Sequence, residues 1–205
     1  MPSSSFTIKA SPGTDIWRKP PSTDVFNAPR AAHARNKTTA PLSAFQSASI
    51  SFLLHPKEQY DQAGLVLSLR PIGSETTRGS NNDNANSPPK WIKTGVEYYK
   101  GVAKAATVAC DVWSDWSLAD VRGEEGDWVT VLVESGSDDE LGLSLWIYQV
   151  LRDGEKVPLR EVCWVFGHGE PAGWEVAVEA YACRPERGTE EELSVEFKGF
   201  DVRWA

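Results

Sequence analysis

The residues in this chain best placed to do chemistry lie in Trp91-Ile92-Lys93-Thr94-Gly95-Val96-Glu97-Tyr98-Tyr99. Side chains alternate across a strand, so Trp91, Lys93, Gly95, Glu97 and Tyr99 share one face while Ile92, Thr94, Val96 and Tyr98 share the other. The second face suits a core. The first sets a cation, an anion and two aromatic rings around a glycine that leaves room for something to approach. It is either a solvated outer face or the floor of a binding groove.

Two other stretches repeat the pattern. In Tyr60 to Arg70, Gln62 and Gly64 oppose the Leu65 and Leu67 face; in Trp174 to Cys183, Glu179 and Tyr181 oppose Val178 and Ala180. If these strands are neighbours, their polar faces are contiguous. On a solvated face the charges would make an ion pair worth ~0.2–1 kcal/mol and nothing more. The aromatics argue for a binding surface instead. Saccharides suit such a surface, because their rings have apolar faces and polar edges. The candidate ligand-binding set is Gln62, Trp91, Lys93, Glu97, Tyr99 and Tyr181, with Lys93 favouring ionised Glu97.

Catalysis is a narrower possibility. Glycoside hydrolysis normally uses two carboxyls about 5 to 9.5 Å apart. Glu97 with Glu179, or with Tyr181, is the available combination, and spacing sets no distance between them. His33, His55 and His168 stand alone, without metal-ligand spacing. Phosphate loops and nucleophile elbows are missing from the sequence, and no cofactor or metal is expected. Cys110, Cys163 and Cys183 are an odd number at wide spacing, which reads as three reduced, mostly buried thiols. Asn36-Lys37-Thr38 matches a glycosylation acceptor but is silent in a chain that is not secreted.

The elements that must position these residues are strands. Helical periodicity is almost missing, whereas alternating or β-branched runs recur about a dozen times between turn residues. Ala48, Ile50, Phe52 and Leu54 alternating with Ser47, Ser49 and Ser51 are the cleanest case. The stretch 71–90, rich in Gly, Ser, Asn and Pro, reads as a polar flexible loop. Trp113 and Trp116 bracket Ser114-Asp115 and read as packing residues beside a turn. Strands at this spacing without helices describe an antiparallel sandwich or barrel. A length of 205 residues is compatible with one such domain spanning 1–205.

The formal net charge of −8 argues against nucleic acid or an anionic membrane as partner, since either needs a basic footprint. The N-terminus has no leader pattern and no run reaches a membrane span, so a cytoplasmic location is expected.

Three motifs in order, Tyr60-Asp61-Gln62-Ala63-Gly64-Leu65, Trp91-Ile92-Lys93-Thr94-Gly95-Val96-Glu97-Tyr98 and Ser114-Asp115-Trp116-Ser117, together with Thr14-Asp15-Ile16-Trp17 and Asn27-Ala28-Pro29, resemble the fungal and bacterial family named for a regulation-of-enolase protein. The resemblance implies the concanavalin A-like lectin/glucanase fold, a two-sheet jelly roll whose ligands lie on the concave sheet, with Gln62, Lys93 and Glu97 as the matching positions. Glucanases of that fold take their carboxyls from a Glu-x-Asp-x-Glu pattern, which this chain lacks. Three readings remain open. The first is a non-catalytic module binding a carbohydrate or related metabolite. The second, implied by the family name, is a regulatory module acting on a metabolic enzyme such as enolase. The third is a glycoside- or small-molecule-processing enzyme using Glu97.

Overall fold

The computed structural model describes residues 5–32, 37–74, 87–123, 126–138, 142–167 and 170–205. Along the chain run β1 (Phe6–Ala10), β2 (Ile16–Lys19), β3 (Thr23–Phe26), β4 (Arg30–Ala31), β5 (Thr39–Pro41), β6 (Phe45–Leu53) and β7 (Gln62–Pro71). They are followed by β8 (Lys90–Tyr99), β9 (Val102–Cys110), β10 (Ser114–Asp120), β11 (Val129–Asp138), β12 (Gly142–Val150), β13 (Lys156–Val162), β14 (Trp174–Cys183) and β15 (Leu193–Trp204). Among the described residues, helix is confined to single turns at Leu42–Ala44 and Glu170–Gly173.

One sheet has the order β1-β15-β6-β11-β12-β13 and the other β10-β9-β8-β7-β14-β4, with β5 also paired to β14. The pairings are antiparallel. The molecule is an all-β, two-sheet antiparallel jelly-roll sandwich of concanavalin A-like form. Period-two alternation explains how it closes: Ala48, Ile50 and Phe52 of β6, Val131 and Val133 of β11, and Val195 and Phe197 of β15 point inward from one sheet. Leu65, Leu67 and Leu69 of β7, Ile92 and Val96 of β8, and Val176 and Val178 of β14 meet them from the other.

Two expectations about elements need correction. Ser114–Asp120 is an edge strand, not only a turn beside tryptophans; it pairs with β9 from Ser114↔Cys110 to Asp120↔Lys104. The polar stretch 71–90 is shorter as a loop than expected, because Pro71 still pairs in β7 and Lys90 already pairs in β8. Ser87, Pro88 and Pro89 are held by Arg18; the rest of the flexible-loop expectation, 75–86, lies outside the described residues. Of the thiols, Cys110 and Cys183 are buried but Cys163 is exposed.

The β7–β8–β14 sheet is apolar on both faces over part of its area. On the face away from the main core, Ile16, Phe26 and Ala28 from the β2–β3 hairpin and the turn after it pack on Val66, Trp91, Val108, Cys110, Tyr181 and Cys183. Burying Ile16 and Phe26 there contributes about 1.5–3 kcal/mol each. Arg18 fastens the hairpin from its far side. Its Nη1 donates to the Pro89 carbonyl (2.8 Å), its Nη2 to Ser87 Oγ (2.6 Å) and the Pro88 carbonyl (2.7 Å), and Nε lies 3.1 Å from Asp24.

A buried ion pair joins the chain segments at one end of this sheet. Arg184, following β14, donates Nε and Nη2 to the two oxygens of Asp61 (2.9 and 2.7 Å), with both side chains at 1% exposure or less. The spare valences are filled: Nη1 reaches the Glu191 carbonyl, and Asp61 Oδ2 accepts the Lys57 and Glu58 backbone N–H groups. Removing one partner strands a buried charge, whereas removing both does not. Asp61→Ala should therefore lose about 3–5 kcal/mol in urea denaturation, and Asp61→Leu combined with Arg184→Met should recover most of it. Equal losses in the single and double variants would show that the pair is not what holds this junction.

Candidate functional site

β8 and β7 are paired so that Gln62 faces Glu97, Gly64 faces Gly95 and Val66 faces Lys93. The glycine rung explains the local geometry. A Cβ on Gly95 would stand 1.9 Å from the Ala63 carbonyl, and one on Gly64 would stand 2.0 Å from the Thr94 carbonyl, so neither position tolerates a side chain. The bare rung lets the Lys93 side chain lie along the sheet. Its Nζ donates to Gln62 Oε1 at 2.7 Å, and Gln62 Nε2 in turn donates to the Tyr60 carbonyl at 3.2 Å.

A cavity of about 300 Å³ opens over this floor, lined by Asp15, Trp17, Tyr60, Gln62, Lys93, Glu97 and Trp116. Asp15 enters from the start of the β2–β3 hairpin, its Oδ1 3.6 Å from Lys93 Nζ. Backbone bonds fix that carboxylate: the Asp15 N–H donates to Asn27 Oδ1, and Asp15 Oδ1 accepts the Ile16 N–H. Trp17 comes from β2, Trp116 from the edge strand β10, and Tyr60 from the turn before β7, where it adopts φ 67°.

The sequence-predicted residues divide. Gln62, Lys93 and Glu97 are brought together on the cavity floor, and all three are buried. Tyr99 stands behind the wall, its ring edge-on to Trp116 at 5.2 Å and 5.9 Å from Tyr60. Trp91 and Tyr181 are not platforms. They are 0% and 2% exposed because the hairpin and the Ala28 turn cover them. The pairing of Glu97 with Glu179 also fails. Their register on β7 (Gln62 and Val66) puts them four residues and two strand spacings apart, roughly 17 Å from ~3.4 Å per residue and ~4.8 Å per strand, far outside the hydrolase range. Glu179 instead pairs with Arg30 at 3.2 Å. Tyr181 with Glu97 gives no acid–base pair either, since burial holds the phenol well above its ordinary range.

Asp15, Trp17, Tyr60 and Trp116 were missed as site residues. Each sits in a motif that the sequence displays, but nothing in the spacing says that a hairpin, a turn and an edge strand converge on one place.

The state of Glu97 differs from the expectation set by Lys93. Burial raises its carboxyl above the ordinary value of 4.5; Lys93 pulls it down and Asp15 pushes it up, and burial prevails. The Trp116 indole N–H lies on the Glu97 side and favours the ionised form, although the contact falls short of a full hydrogen bond. The arrangement offers one protonatable carboxyl, one fixed carboxylate–ammonium–amide chain and three aromatic walls. Among the described residues no group of three or more His, Cys, Asp and Glu side chains could hold a metal ion, and no helix is long and apolar enough to cross a membrane.

Fold and cavity together define a concanavalin A-like sandwich with an enclosed polar–aromatic pocket on one sheet. The chain belongs to the family described as "Protein of unknown function (DUF1349)", whose model matches residues 1–204. That description does not carry the regulation-of-enolase name which the motifs resemble. A protein of Emericella nidulans, "Uncharacterized protein AN7484", is 39% identical over 180 residues, covering 88% of this chain and 77% of its own. Among solved structures, a functionally unknown protein from Saccharomyces cerevisiae superposes with a TM-score of 0.63 at 21% identity, covering 100% of this chain and 94% of that one. The marine PL-14 alginate lyase from Aplysia kurodai gives a TM-score of 0.49 at 9% identity over 98% of this chain and 83% of its own.

A carboxyl raised by folding stabilises the protein below its unfolded pKa, and that contribution is lost as pH rises through the folded value. Glu97→Gln removes the dependence. The melting temperature of Glu97→Gln relative to the parent should therefore climb as pH is taken upward from about 4.5 toward neutrality; a difference that stays flat or falls would contradict the burial of Glu97.

Proposed function

We propose that the chain binds a small polyhydroxylated ligand of carbohydrate type in the cavity over Lys93 and Glu97. One observation carries this reading: aromatic walls from Trp17, Tyr60 and Trp116 enclose a floor of hydrogen-bonding groups that are themselves fixed. Gln62 is locked between Lys93 and Tyr60, so the floor is organised before a ligand arrives, which reduces the ordering cost of binding. Fixed carboxyl, ammonium and amide groups match ring hydroxyls, and the indole and phenol rings match the apolar face of a pyranose. A volume of about 300 Å³ lies at the small end of ligand pockets.

Catalysis is the second reading, favoured by the raised Glu97 carboxyl beside the Asp15 carboxylate. A carboxyl raised by burial beside a second carboxyl group is a combination that acid–base hydrolysis can use. Asp15, not Glu179, would then be the partner of Glu97.

Titration calorimetry with glucose, mannose, galactose, xylose, N-acetylglucosamine and glucuronate should find at least one ligand. Glu97→Gln and Trp116→Ala should each weaken it by about 1–3 kcal/mol. Binding unchanged in both variants, or no binding across the panel, would overturn the proposal. Release of nitrophenol from the matching nitrophenyl glycosides, lost in Glu97→Gln, separates the enzyme from the binder.

A further inference from the structure

The face of β7 that floors the cavity does not end there. Gln62, Gly64, Val66, Ser68 and Arg70 share it by alternation, and polar groups stand at both ends. Ser68 and Arg70, with Glu175 and Glu179 from β14, line a second cavity of about 570 Å³. The buried Ser68 hydroxyl has no hydrogen-bond partner among the described residues. Between the two cavities the floor turns apolar and is covered: Ile16, Phe26 and Ala28 sit on Val66, Trp91 and Tyr181, with Phe26 6.3 Å from the Trp91 ring.

The Glu97 cavity is therefore shut in two directions. Along the strands, the way toward Ser68 is filled by the Phe26–Trp91–Val66 packing. Across the strands, the neighbours of Gln62 and Gly64 on β14 are Cys183 and Tyr181, at 0% and 2% exposure beneath the same cover. The cover is fastened rather than resting. Arg18 binds it to Ser87, Pro88 and Pro89, its Ser114 contact ties it to β10, and the Asp15–Asn27 bonds brace its base.

We infer that the β2–β3 hairpin converts a sheet-long groove into a blind pocket that accepts one saccharide unit, either a free monosaccharide or the end unit of a chain, and excludes the internal units of a polysaccharide. This rests on the carbohydrate reading above. An internal unit has a neighbour on each side, and a pocket closed both along and across the strands has room for a neighbour on one side only. The hairpin that closes it through Ile16 and Phe26 also lines it through Asp15 and Trp17, so the closure and the contact surface belong to one element.

The test uses the intact protein and the six monosaccharides of the panel. Each is paired with linear oligosaccharides of two to four of the same unit, and with those oligosaccharides carrying O-methyl caps on both terminal units. Affinity should rise no more than about threefold from one unit to four, and capping should weaken binding by about tenfold or more. Binding of the monosaccharide alone, without its oligomers, supports the free-sugar form of the inference; equal binding of uncapped oligomers supports the end-unit form. Affinity that climbs tenfold or more with length, or capped chains that bind as well as uncapped ones, overturns the inference and leaves the carbohydrate reading standing. Failure of every mono- and oligosaccharide to bind removes that reading and this inference with it.

Discussion

The buried pairing of Asp61 with Arg184 is the interaction on which the functional end of the sheet depends. Two charges with almost no exposure are tolerable because the fork of the guanidinium meets both carboxylate oxygens and each guanidinium nitrogen has a hydrogen-bond partner. Those partners come from the 57–58 turn and the 191 strand entry. The Arg184 backbone further accepts from Gly13 and donates to Thr14 Oγ1. Three chain stretches distant in sequence, 13–14, 57–61 and 184–191, are thus referenced to one point. Two of them carry cavity residues within a few positions, Asp15 after Thr14 and Tyr60 before Asp61, so the pair sets where the cavity walls stand relative to its floor.

The hairpin then decides what kind of surface the sheet presents. Its inward side chains give the β7–β8–β14 sheet a second apolar layer, and Asp15 at its base places a carboxyl 3.6 Å from the buried Lys93 ammonium. Lys93 and Gln62 are hydrogen-bonded to one another on the buried floor, with Asp15 3.6 Å from the ammonium. Glu97, next to them, bears the cost of that burial in its raised carboxyl. In the proposed carbohydrate reading, ligand recognition and protein stability would be coupled through the same desolvation.

The sandwich itself was legible because alternation is a local property. Runs such as Ser47 to Leu54 and Gln62 to Arg70 declare which side chains point together, and the grouping of Gln62, Lys93 and Glu97 on contiguous faces follows from that period and the β7–β8 neighbourhood. The bare Gly95 was legible too, as room above a strand. What covers a face is a different kind of information. Trp91 and Tyr181 share the polar face by parity yet are buried, because a hairpin far upstream, carrying Ile16 and Phe26, lands on them. Trp116 reads as a packing residue until its strand is known to be the sheet edge. Lys93 beside Glu97 is visible in one dimension as a Coulomb partner, whereas desolvation is a property of three dimensions and proved the larger effect. Glu179 matched Glu97 in type but not in register, and strand register between separate motifs is not written in spacing.

Trp91 lies beneath the hairpin with an indole N–H that has no hydrogen-bond partner among the described residues. An unpaired buried donor costs on the order of 1–3 kcal/mol, so the cover is held down against a standing penalty. It also makes Trp91 an internal optical gauge. An indole in a dry, unbonded niche emits at shorter wavelength than one in contact with water, and lifting the hairpin would bring water to Trp91. Trp17 and Trp116, on the cavity itself, answer to occupancy instead. Among the nine tryptophans of the chain, one therefore reports whether the pocket is closed and two others report whether it is filled.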